Sequence, residues 1–159
     1  MGQIDDFSWI AQKKLSNSDV PNFEKSAAFN LAREKLIKSG CSEDNTYGII
    51  DGILDAEFSG IKSHGFHYLP IYCNHLKIGK IKGKAAPSYE KISNSAIKVN
   101  ADNGFAHSAI NIGLPLFFEM CAKEAISCMS VYNSYNCGVL GFHTKRIAEK
   151  GFVGLGFTN

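Results

Sequence analysis

The stretch IKSHGFHYLP, residues 61–70, places Ser63, His64, Gly65 and His67 within five positions. An imidazole there could exchange a proton with a substrate oxygen near neutral pH. A serine beside it could orient one ring nitrogen, and a glycine lets backbone come close to a bound molecule. The same residues could also be a helix-terminal loop whose imidazole bonds a backbone carbonyl. A serine-hydrolase elbow does not fit, because it needs glycine two residues before the serine and Ile61 stands there.

Other chemistry is weaker. His64, His67, Cys73 and His75 lack the paired spacing of structural zinc modules, and H-E-x-x-H does not occur. Cys137 with the remote His143 could form a thiol–imidazole pair, yet nothing local marks the thiol as activated. KIGKIKGK (77–84) holds four lysines without interleaved aromatics in a chain of net charge +2. It reads as a solvated loop, and neither nucleic acid nor a membrane surface is expected as a partner. No G-x-G-x-x-G follows a strand, and Gly154-Leu155-Gly156 comes too late to open a helix.

The bulk of the sequence suits one soluble domain: 159 residues, 45% hydrophobic and 20% charged. No run approaches the roughly 20 apolar residues that span a bilayer. MGQIDDFSWIAQKK has early acids and no sustained apolar core, so no secretory leader is expected. Five cysteines, an odd and scattered set without C-x-x-C, read as reduced and mostly buried thiols in a cytoplasmic protein.

These residues need elements to position them. Residues 1–22 read as a loosely held extension. Ala27, Leu31, Ala32 and Leu36 recur at helical spacing over 24–38, with Gly40 as the stop. Ser42 offers an N-cap to a second helix whose inner face would carry Tyr47, Ile50, Leu54 and Phe58. The Ser63-His64-Gly65 loop follows it, and a third helix spans about 69–78. Two short strands are expected near 89–92 and 96–100, turning at Asp102-Asn103-Gly104. A long apolar helix over about 107–127 contains Pro115, which should kink it or delay its start. CMSVYN reads as a buried strand, VLGFHTKRIAEKG as a helix, and FVGLGFTN as another buried strand that would need neighbours on both sides. The chain therefore looks cut off inside a domain.

Five ordered blocks, DAEFSGIKSHG (55–65), LPIY (69–72), NADNGFAH (100–107), VYNSYNCG (131–138) and GLGFTN (154–159), together resemble the type 2 malate/L-lactate dehydrogenase family. The likeness implies an α/β fold in which a helical N-terminal region (23–80) carries the histidine loop. That region packs on a mixed, non-Rossmann cofactor-binding sheet, begun by 81–159 and incomplete. It implies an oxidoreductase that moves hydride between NAD or NADP and a small 2-oxo or 2-hydroxy acid, usually as a homodimer. By the same likeness His64 is the acid/base and Ser63 its companion. Tyr68 and Tyr72 face the substrate, and Asn136, Thr158 and Asn159 face the nicotinamide end. Two positions depart from the family pattern. Tyr68 stands where an arginine commonly grips a carboxylate, and Asn136 stands where a histidine is usual. Family chains are about twice as long as this one. The rival reading is a non-catalytic fragment or paralogue that associates with a full-length relative or with a separately encoded C-terminal half.

Overall fold

The structure is a computed structural model that describes residues 25–159; the extension expected at 1–22 lies outside them. Its helices are α1 (Lys25–Lys38), α2 (Glu43–Phe58), α3 (Leu69–Lys77), α4 (Ala106–Cys121) and α5 (Leu140–Ala148). Its strands are β1 (Ser88–Lys91), β2 (Ala96–Asn100) and β3 (Cys128–Tyr132).

The first three helices form one layer. Gly40, at φ +101°, supplies the left-handed backbone that stops α1. Ser42 occupies the N-cap of α2 with extended backbone but makes no side-chain cap bond; Glu43 and Asp44 fill the first turn, where the helix dipole favours acids. The buried face of α1 is Ala28, Ala32 and Leu36, one row over from the expected Ala27 and Leu31, which are exposed. Small residues on that row let α1 approach α2, whose buried face is Ile49, Ile50, Ile53 and Leu54. Tyr47, expected inside, is exposed with its ring near Phe29 and its hydroxyl on Glu43. Tyr72 and Leu76 of α3 close this core together with Ile81 and Phe105. Burial of Ile81, at 2% exposure, and the Lys82–Asp102 ion pair show that the basic loop is anchored and not merely solvated.

The second layer is the sheet with α4 on one face. β1 pairs antiparallel with β2, and β2 pairs parallel with β3, so the sheet is mixed and β2–α4–β3 forms a crossover unit. Ile97 and Val99 point into the core under α4, with Met129 and Val131 packed beside them. Cys128, Ser130 and Tyr132 face outward, so β3 alternates and is not the fully buried strand its composition suggests. Asp102 and Asn103 both adopt positive φ at the expected turn. The Lys82 ammonium and the Ala86 amide hold the Asp102 carboxylate and lower its pKa.

Three further expectations are corrected. Helix α4 runs through Pro115, whose ring is exposed where a missing backbone donor costs little, and it ends at Cys121, six residues short of 127. Residues 152–159 form no strand. Val153, Leu155 and Phe157 are 93%, 78% and 89% exposed, while Gly154 and Gly156 lie against α5. Of the five free thiols only Cys41 is buried and Cys128 is exposed.

Candidate active site

The Ser63-His64-Gly65 loop is two short 3-10 turns, 62–64 and 66–68, between α2 and α3. Its tightness depends on Glu57, near the end of α2, whose Oε2 accepts the Phe66 N–H at 3.0 Å. A methyl group on Gly65 would press on that oxygen, so a larger residue there must push the Glu57 carboxylate aside. Ser63 is exposed and His64 half-buried. Ser63 Oγ lies 3.0 Å from His64 Nδ1, which leaves Nε2 as the ring nitrogen clear of that contact.

An aromatic wall continues from this imidazole. The His64 and Tyr68 rings are nearly parallel, 6° apart with centroids at 6.0 Å, and Tyr68 meets Tyr72 edge-on at 4.9 Å. The Tyr72 hydroxyl donates to Asn136 Oδ1 at 3.1 Å, and the Gly138 N–H donates to the same oxygen at 2.6 Å. Two donors on one oxygen fix the amide, with its NH2 group as the end not used by them. Tyr135, from the loop after β3, packs edge-on against Tyr72 and Phe105, and its hydroxyl is 2.6 Å from His75 Nδ1. Burial, then the phenols of Tyr68 and Tyr135, raise the Tyr72 pKa. Burial and the Tyr68 phenol push Tyr135 up to about 12. Both phenols are therefore neutral at physiological pH.

His64, Ser63, Tyr68, Tyr72 and Asn136 thus form one connected group, drawn from the loop, α3 and the segment after β3. Thr158 and Asn159 are exposed and stand apart from the group, with the Thr158 hydroxyl donating to the Asn159 carbonyl at 3.5 Å. Their segment does run back along α5: Gly154 sits on Ile147, and Gly156 on Leu140 at the helix start, just after Gly138. A surface depression of about 260 Å³ lies elsewhere, lined by Lys91, Leu116 and Glu119 among others, and shares no residue with the His64 group. Cys137 and His143 do not form a thiol–imidazole pair, since His143 Nε2 bonds the Cys137 carbonyl oxygen at 2.8 Å. Among the described residues no three His, Cys, Asp or Glu side chains gather as a metal site. None of their helices is long and apolar enough to cross a membrane.

A second polar group was missed in the sequence. His107 of α4 is 2% exposed and His143 of α5 is 7% exposed, with ring centroids 5.3 Å apart. Asp51 of α2 and Arg146 of α5 adjoin them, and Arg146 donates to Asn111 Oδ1 at 2.8 Å. Burial drives the His107 pKa down to about 3 and lowers that of His143, while burial lifts Asp51 to about 6 against the pull of Arg146. One sequence signal could have found it. Gly48 and Gly52 stand one turn apart on α2, and a methyl on either would press on His107 or Asn111.

A helical layer bearing a histidine loop, set on a mixed sheet with a β2–α4–β3 crossover, defines the architecture. The sequence signature of the malate/L-lactate dehydrogenase family matches residues 23–159, and the chain belongs to that family. It is 30% identical over 125 residues to delta(1)-pyrroline-2-carboxylate reductase 1 of Burkholderia ambifaria, covering 79% of this chain and 37% of that protein. It is 31% identical over 107 residues to the (2R)-3-sulfolactate dehydrogenase (NADP(+)) of Chromohalobacter salexigens, covering 67% of this chain and 32% of that one. Among solved structures, the delta1-piperideine-2-carboxylate reductase of Pseudomonas syringae superposes with a TM-score of 0.80 over 83% of this chain and 40% of its own, at 23% identity. Malate dehydrogenase of Entamoeba histolytica gives a TM-score of 0.75 at 25% identity, over 84% of this chain and 37% of its own. The relatives are oxidoreductases, and this chain spans less than half of their length. Nothing in their names speaks for the non-catalytic reading.

Proposed function

We propose that the chain is the His64-bearing part of an oxidoreductase that moves hydride between NAD or NADP and a small 2-oxo or 2-hydroxy acid in the cytoplasm. The observation that carries this is the contact of Ser63 Oγ with His64 Nδ1 on a half-buried ring laid along Tyr68. As the substrate carbon gains hydride, negative charge grows on its oxygen, and a protonated His64 can neutralise it through Nε2. In the oxidative direction the neutral ring takes the hydroxyl proton at the same nitrogen. Ser63 holds the ring's orientation, and Tyr68 and Tyr72 bound the substrate.

The nicotinamide cofactor would supply or accept the hydride. Asn136 fits such a group, because its carbonyl is already used by Tyr72 and Gly138 and its NH2 remains for a ligand acceptor. Thr158 and Asn159, carried back toward the start of α5, would complete that end. The working unit is a homodimer or this segment joined to the remaining part of the fold.

The test follows nicotinamide absorbance with pyruvate and oxaloacetate, using the polypeptide that completes the fold. His64→Ala should lower kcat by about 10²–10⁴-fold. Equal turnover by wild type and variant would remove His64 from the reaction.

A further inference from the structure

Asn136 takes its direction from a peptide that is itself held from behind. The Cys137–Gly138 peptide lies after β3 and before α5, outside the hydrogen-bond ladders of both. Its N–H is the Gly138 donor to Asn136 Oδ1 at 2.6 Å, and its carbonyl accepts from His143 Nε2 at 2.8 Å. The peptide is trans and planar, so its N–H and carbonyl point in opposite directions and cannot turn independently. A donor that fixes the carbonyl therefore aims the N–H, and the N–H aims the amide of Asn136.

The donor in this arrangement is an expensive choice for its place. His143 sits in the first turn of α5, 7% exposed, with its ring edge-on to Phe142 and 5.3 Å from that of His107. A carbonyl only accepts, so Nε2 carries the proton and Nδ1 keeps a lone pair. That lone pair is buried and has no hydrogen-bond partner among the described residues. Leucine would fill the same seam without leaving a buried polar atom unpaired. What the imidazole supplies and leucine does not is the bond to the Cys137 carbonyl. His107 backs onto the same peptide: a methyl group on Gly138 would lie 3.0 Å from its Nε2, and Gly138 has a φ of +68°, where glycine is favoured. Two buried imidazoles thus hold one peptide, His143 by a bond and His107 by close approach.

We infer that His143 is a positioning residue of the proposed site: through the Cys137–Gly138 peptide it sets the direction in which Asn136 presents its NH2 group to the nicotinamide end of the cofactor. The inference rests on the proposed role of Asn136, and spectroscopy and binding test the two separately. The polypeptide that completes the fold is prepared with 15N in its asparagine side chains, and Asn136→Ala identifies the Asn136 NH2 resonances. His143→Leu removes the donor and should move those resonances. His143→Gln, whose amide nitrogen takes the place of Nε2, should return them toward their wild-type positions. Ile97→Val loosens the core under α4 without touching either group and should leave them unmoved. Nicotinamide fluorescence then reads affinity for NADH and for NADPH. His143→Leu should weaken it by about two- to tenfold, the equivalent of one neutral hydrogen bond, with kcat at saturation little changed. His143→Gln should recover most of that loss. In an Asn136→Ala background the leucine replacement should cost nothing further, because the two residues act as one unit.

Asn136 resonances indifferent to His143→Leu, or an affinity loss as large in the Asn136→Ala background as in wild type, would overturn the inference. Should the leucine variant not fold, the 15N spectrum of the wild-type histidines decides. A proton on His143 Nδ1 in place of Nε2 means that the ring gives nothing to the Cys137 carbonyl, and the inference falls. Loss of cofactor affinity in Asn136→Ala, with resonances that ignore His143, would keep the role of Asn136 and sink this one. Resonances that follow His143, with cofactor affinity intact in Asn136→Ala, would keep the positioning of the amide and remove the cofactor from it.

Discussion

Histidines occupy two opposite settings in this chain. His64 is half-buried on a loop, bonded at Nδ1 by a neighbouring hydroxyl and stacked on a tyrosine. His107 and His143 are sealed where α2, α4 and α5 meet, and each has a buried Nδ1 with no hydrogen-bond partner among the described residues. A ring that must gain and lose a proton needs solvent or substrate at one nitrogen and a fixed partner at the other. The loop provides both, whereas the helical seam holds its rings neutral by removing water. The difference teaches that exposure and partner geometry, and not histidine content, mark the place where chemistry can occur.

The largest way to break this contrast is acid. Below pH 6.5 an unfolded chain protonates His107 and His143, while the fold keeps His107 neutral down to about 3. The unfolded state then binds more protons, so stability falls as pH falls through that window. Asp51 acts oppositely. Its pKa is raised to about 6, so its contribution falls as pH rises from 3.8 to 6. Two histidines oppose one carboxylate, and net stability should drop on acidification by a few kcal/mol, at about 1.4 kcal/mol per pH unit and group at most. His107→Leu should flatten the acid side of a denaturation-against-pH curve. An unchanged slope would mean that the ring is not held neutral.

Next in size is Gly65→Ala, where the new methyl must displace Glu57 and with it the loop. Overpacking of this kind costs roughly 1–3 kcal/mol. Urea denaturation should show a lower midpoint and, in an active assembly, a lower kcat with KM little changed. Tyr72→Phe should cost about 1 kcal/mol by freeing Asn136 Oδ1 from one of its two donors. Its melting temperature measures that directly, and an unaltered value would mean that the bond contributes nothing. Smallest is His67→Ala, the exposed member of the same loop, which should change stability by under about 0.5 kcal/mol. A loss of more than that in urea denaturation would erase the distinction between the two settings.

Much of this was legible before any coordinates. Periodic apolar residues and glycine stops located α1, α2, α3 and α5, because helical spacing and stop signals are local properties of the chain. Which row of α1 faced inward was not legible, since Ala27 and Ala28 are equally apolar and the choice lies with α2. FVGLGFTN looked like a buried strand because composition cannot tell whether a partner strand exists; its glycines lie on α5 instead. Ser63 and His64 stood out because they are adjacent. Asp51, His107 and Arg146 did not, and His143 was noticed only beside Cys137, because four residues spread over three helices leave no local mark as a group and only folding assembles them.

Two bonds, Tyr72 to Asn136 and His75 to Tyr135, stitch α3 to the segment following β3. They cross the boundary between the helical layer and the sheet, so Tyr72 and Asn136, proposed to meet substrate and cofactor, are also fasteners of the two layers. Any small molecule that binds the folded junction should delay thermal melting by an amount that grows with the logarithm of its affinity. Shape-keeping and recognition at this junction are one mechanical property.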